Sequence, residues 1–146
     1  MNRGSENPAI DRTLKDVLER QAEVISVRFE PDAIQQRYLA AEIDPQRVVP
    51  PTGPESPHLE VHWKLTPPHD EFRIDYADPN VGFHCGWHRD EDHDELGAAH
   101  FQYQTDSMET PDHEGVVFDA ESPPKLLWER CDELFENVLL EYTAER

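Results

Sequence analysis

The chain has 146 residues, with 32 Asp or Glu against 13 Lys or Arg, a formal net charge of −19 and a hydrophobic fraction of 36%. That length predicts a single domain over residues 1–146, because one core typically occupies about 100–150 residues. No stretch approaches the roughly 18 apolar residues of a membrane span, residues 1–12 lack a signal-like apolar core, and two cysteines make no disulfide framework, so a cytoplasmic protein without a membrane partner is expected.

Residues 1–7 read as a frayed end. Asn7-Pro8 then resembles an N-cap with proline at the first helical position. Ile10, Leu14, Val17 and Leu18 follow at helical spacing, predicting an amphipathic helix from about Pro8 to Gln21. Ile25, Val27 and Phe29 alternate with Ser26 and Arg28, which predicts a strand ending at Pro31. Residues 34–43 fit either period; Leu39, Ala41 and Ile43 favour a strand from Tyr38 to Asp44.

Residues 50–57 carry four prolines and one glycine, a stiff polar loop. Beyond it the alternation is clean. Leu59, Val61, Trp63 and Leu65 share one face, and Phe72, Ile74 and Tyr76 repeat the pattern with Arg73 and Asp75 opposite. After the Asp78-Pro79-Asn80 turn come Phe83, Cys85 and Trp87, alternating with His84, Gly86 and His88. A polar loop leads to Ala99, Phe101 and Tyr103, alternating with His100 and Gln102. Residues 105–114 read as a loop and Val116–Phe118 as a short strand. Ser122-Pro123 opens a final helix with Leu127, Cys131, Leu134, Phe135, Val138 and Tyr142 as its apolar stripe. The expected fold is α+β: an antiparallel meander of about four to six strands, with an N-terminal and a C-terminal helix on one face. Trp63, Trp87 and Trp128 are all expected in the core, as are Cys85 and Cys131.

The acidic residues run from Glu6 to Glu145, and only three of the thirteen basic residues are lysines. Dispersed carboxylates with few lysines point to a protein from a halophile. At about 1 M salt the Debye length is about 3 Å, so self-repulsion is weak while hydrated carboxylates preserve solubility. An RNA ligand is then compatible with the charge, provided stacking and hydrogen bonds hold it.

Four of the eight histidines, His84, His88, His93 and His100, fall within seventeen residues. On a strand His84 and His88 lie roughly 13 Å apart, too far to share one ion. A hairpin centred near Glu95 would face Asp90 with His100 and His88 with Gln102, letting Asp90, His93 and His100 converge. Neighbouring registers move this pairing by a residue or so. Such a set suits either a divalent metal or metal-free acid–base work on a phosphodiester, with Arg73 as phosphate contact and an RNA 2′-hydroxyl as nucleophile. The third reading is an ordinary solvated sheet face. No phosphate loop, dinucleotide fingerprint, paired CxxC or nucleophile elbow is present.

The run His88-Arg-Asp90-Glu-Asp-His93-Asp-Glu-Leu96-Gly-Ala-Ala-His100-Phe101-Gln102 resembles the signature of the TumE family, small toxins of toxin–antitoxin pairs partnered by a helix-turn-helix antitoxin. In that pattern a strand ends in aspartate and asparagine, a histidine pair follows, and a second strand carries further histidines. Asp90, His93 and His100 match; Glu91, Asp94 and Gln102 depart, replacing the asparagine, the second histidine of the pair and a late histidine. The close match covers about fifteen residues, with residues 58–104 similar in outline. The resemblance implies a toxin-like protein acting on a cellular target such as RNA. Joined to the residue pattern above, it gives the leading expectation: a metal-independent, ribonuclease-like protein without cofactor, with His88, Asp90, His93, His100 and Gln102 as candidate catalytic residues and Arg73 as substrate contact. The lost histidines equally suit a relative without activity. A non-enzymatic interaction or divalent-metal-binding module is the alternative.

Overall fold

A computed structural model describes residues 8–31, 36–65, 70–89, 99–118 and 122–143. Helix α1 (Pro8–Glu19) buries Leu14, Val17 and Leu18 on the stripe their spacing predicts. It stops short of Gln21, whose side-chain amide donates at 2.9 Å to the Val17 carbonyl, which also accepts from the Arg20 backbone N–H at 3.2 Å. The Asn7 cap lies outside the described residues.

Strands β1 (Val24–Pro31), β2 (Gln36–Ile43), β3 (His58–Lys64), β4 (Glu71–Asp78), β5 (Phe83–Arg89), β6 (Ala99–Gln104) and β7 (Asp112–Gly115) form one antiparallel sheet in chain order. The strand count among the described residues is seven rather than four to six. The additional strand is β7, which falls in the segment read as a loop, while Val116–Phe118 is not a strand. Its sequence, DHEG, has no apolar alternation, because all four residues are exposed at the sheet's edge. A second departure is in β1. Val24 pairs with Ile43 but Ser26 pairs with Glu42, so Ile25 is an extra residue; this bulge leaves it 54% exposed and sets Val24, Val27 and Phe29 toward the core.

One face of the sheet carries Leu39, Leu59, Val61, Phe72, Ile74, Tyr76, Phe83, Cys85, Trp87 and Phe101, all buried. The C-terminal arm lies across it. Helix α2 (Pro123–Glu133) is capped by Ser122, whose hydroxyl accepts from the Lys125 backbone N–H. A π-helical turn (Leu134–Val138) follows, then α3 (Leu139–Thr143). The buried stripe takes in Leu126 and Leu139 beside the expected Leu127, Cys131, Leu134, Phe135 and Val138. Phe135 meets Tyr76 edge-on at 6.4 Å, and Tyr142 packs on Phe83 at 5.9 Å and on Tyr103 at 4.3 Å. Trp87 is buried and Trp63 half-buried, but Trp128 is 40% exposed: Leu126 and Leu127 take the inward positions, which turns the next residue outward.

The proline-rich loop is tied to the β4–β5 turn. The Thr52 hydroxyl donates to the buried Asp78 carboxylate, and Asn80 exchanges hydrogen bonds with the Glu55 backbone. Among the described residues no helix is long and apolar enough to cross a membrane.

Candidate functional site

With the helices on one face, every second residue of the meander projects from the other. Antiparallel register aligns these residues in transverse rows. The first row is Glu42, His58, Ala77, His84 and Gln104, from β2 to β6. The second is Ala40, Glu60, Asp75, Gly86, Gln102 and His113, from β2 to β7. The third is His62, Arg73, His88, His100 and Gly115, from β3 to β7.

A small residue hollows the middle of this face. Ala77 lacks the bulk to fill the sheet surface between His58 of β3 and His84 of β5, whereas the space over Gly86 is taken by the Asp75 carboxylate. A groove of about 350 Å³ results, lined by His58, Glu60, Arg73, Asp75, Ala77, His84 and Gln102 among others. That volume is at the lower end of ordinary ligand sites.

Behind the groove, Nε2 of His88 lies 2.6 Å from Oδ1 of Asp75. His88 is 2% exposed, whereas the Asp75 side chain keeps 36% of its surface open. Such a carboxylate holds the tautomer and orientation of its imidazole. Arg73, on the same strand, places Nε 3.6 Å from Oδ2 of Asp75 and is itself more than half exposed. His88 meets His100 edge-on with ring centroids 5.2 Å apart, and His100, fully buried, is 5.5 Å from His113. At the other end of the row Tyr38 stacks on His62 at 4.3 Å.

The expected site residues divide. His88 stands opposite His100, and Gln102 opposite Gly86. The hairpin expected to pair His88 with Gln102 and Asp90 with His100 is therefore shifted by two residues; a two-residue shift preserves which side chains share a face, so the alternation could not detect it. Arg73 and Gln102 line the groove, while His88 and His100 lie buried beside it. Asp90 and His93 fall outside the described residues. Among the described residues no three His, Cys, Asp or Glu side chains group so as to hold a metal ion.

Three participants escaped the sequence reading. The sequence pattern sets Asp75 on the polar face without a partner, puts His113 in a loop and gives Gly86 no role. The β4–β5 connection held the missing signal: four residues, Pro79–Gly82, separate the paired Asp78 and Phe83, and that count alone brings Asp75 opposite Gly86. The two thiols take no part. Burial, with Asp75 adding to it, pushes the Cys85 thiol far up, and burial pushes Cys131 up to about 12. Neither forms a thiolate nucleophile near neutral pH.

The chain matches no family model, no curated protein and no solved structure.

Proposed function

We propose that the polar-face groove is a metal-free acid–base site acting on RNA phosphodiesters. One observation carries this reading: the 2.6 Å Asp75–His88 hydrogen bond beside an open groove that also presents Arg73. A guanidinium suits a phosphate oxygen, and imidazoles exchange protons near neutral pH. The 2′-hydroxyl of RNA supplies the nucleophile, so the protein needs none. The same proposal takes the chain as a TumE-like toxin with a helix-turn-helix antitoxin as partner, working in the saline cytoplasm of a halophile. The 88–102 run and the dispersed carboxylates support it.

A second reading, a non-enzymatic interaction module, draws on the burial of His88 and His100 at 2% and 0% exposure, which also suits a purely structural polar network. RNA integrity after incubation with the protein in about 2 M KCl, a screened regime, separates the two. Wild type, His88→Ala and His100→Ala run side by side, with and without EDTA. Cleavage that survives EDTA and weakens in both variants is expected. Intact RNA in every lane would overturn the proposal and leave the interaction module standing.

A further inference from the structure

The buried histidines cannot touch a substrate in the groove, yet two other histidines can. His58 on β3 and His84 on β5 both stand opposite Ala77 of β4, one on each side of it. Both are exposed, and both line the groove. Neighbouring strands are about 4.8 Å apart, so the two Cα atoms are separated by roughly 10 Å. Between them the row carries Ala77, whose side chain is a single methyl group. A phosphodiester group fits such a gap.

The rest of the row continues the pattern. Glu42 stands opposite His58 on β2, and Gln104 stands opposite His84 on β6. Each imidazole thus has a polar cross-strand neighbour with Cβ atoms about 4.5–5.5 Å apart. Arg73 and Gln102 border the same groove and reach it from the other two rows.

We infer that His58 and His84 are the general acid and general base of the groove, acting on opposite sides of an RNA phosphodiester held over Ala77. The inference rests on the RNA reading above and moves the proton transfers from the buried cluster to the accessible pair. One imidazole takes the 2′-hydroxyl proton as that oxygen bonds to phosphorus. The bond from phosphorus to the 5′-oxygen breaks, and the other imidazolium protonates the departing oxygen. The products are a 2′,3′-cyclic phosphate and a free 5′-hydroxyl, with no water or cofactor consumed. Asp75 and His88 are then positioning residues that set the groove wall on which Arg73 lies.

The test is cleavage of a fluorophore-labelled RNA dodecamer of mixed sequence, with its 2′-deoxy counterpart as a control that cannot react. Wild type is compared with His58→Ala, His84→Ala and Ala77→Leu, each checked for native circular dichroism. Each histidine variant is expected to lose on the order of 10²-fold in rate or more. The wild-type rate should follow a bell-shaped pH profile, and each histidine variant should lose one limb of it. Ala77→Leu fills the gap without removing a titrating group, and should abolish cleavage with the same fold intact. Wild-type cleavage retained within about threefold in both histidine variants would overturn the pair and leave the RNA reading standing. Wild type that leaves RNA intact overturns the RNA reading, and the pair with it.

Discussion

Asp75 reaches His88 by crossing directly over Gly86. A Cβ on Gly86 would lie 2.2 Å from Oδ1 of Asp75, 2.8 Å from the Ile74 carbonyl oxygen and 3.2 Å from Nε2 of His88. The Asp75–His88 hydrogen bond therefore depends on a strand position without a side chain, between two histidines that a strand pattern would otherwise treat as equivalent.

Gly86→Ala is accordingly expected to break that bond. The carboxylate can swing toward solvent, but the Ile74 carbonyl is backbone and cannot yield as easily. His88 is left buried without its acceptor, a loss of about 1–3 kcal/mol. Urea denaturation should show a lower midpoint with an unchanged slope. The imidazole resonances of His88 should move most among the histidines. An unchanged midpoint would mean that the pair contributes nothing to stability.

Leu127→Ala and Trp128→Ala should differ sharply although the residues are adjacent. Leu127 is fully buried under the sheet, so its truncation is expected to cost about 2–5 kcal/mol. Trp128 is 40% exposed and borders a shallow cleft with Thr13 and Val17 between α1 and α2. Its loss should cost about 1 kcal/mol, within the range of ordinary partly exposed substitutions. Equal losses in denaturant titrations would contradict the orientation of α2.

The two thiols predict a definite pH dependence. In the folded chain the Cys131 thiol is pushed up to about 12, by burial first and then by Asp132 and Glu23, with Arg130 opposing; Cys85 is raised as well. An unfolded thiol titrates near about 8.5. Above that pH the unfolded chain releases protons that the folded chain retains, so stability falls as pH rises from about 8.5 toward 12. Below it, both states keep their protons and the thiols contribute no slope. At pH 8 the folded protein should resist iodoacetamide and the urea-unfolded protein should take up two labels, read by intact mass. Rapid labelling of folded protein would show that the thiols are open.

Salt should stabilise the fold. A net charge of −19 on 146 residues makes self-repulsion the dominant long-range term in dilute buffer. Raising KCl from about 0.1 M to about 2 M shortens the Debye length from about 10 Å to below 3 Å, so a clear rise in Tm is expected. A flat response across that range would remove the physical basis for the proposal of a halophilic source.

The period of the apolar residues determined much of this fold. Alternation through Leu59–Trp63, Phe72–Tyr76, Phe83–Trp87 and Ala99–Tyr103 was sufficient to place four strands, their inner faces and the polar histidines opposite. Helical spacing placed Leu14 and Leu18 inside α1, and Leu127, Cys131 and Leu134 under the C-terminal arm. In a strand without a bulge, a side chain's face follows from that strand alone, so it can be read locally. Which residue stands opposite which depends on turn length and on bulges, and those are properties of two strands together. Hence the extra residue at Ile25, the edge strand Asp112–Gly115 and the two-residue shift that puts His88 beside His100 emerged only in three dimensions. The groove has the same origin. Glycine and alanine carry no periodic signal: Ala77 opens a hollow only because register sets it between His58 and His84, and Gly86 admits the Asp75 carboxylate only because register sets it opposite Asp75.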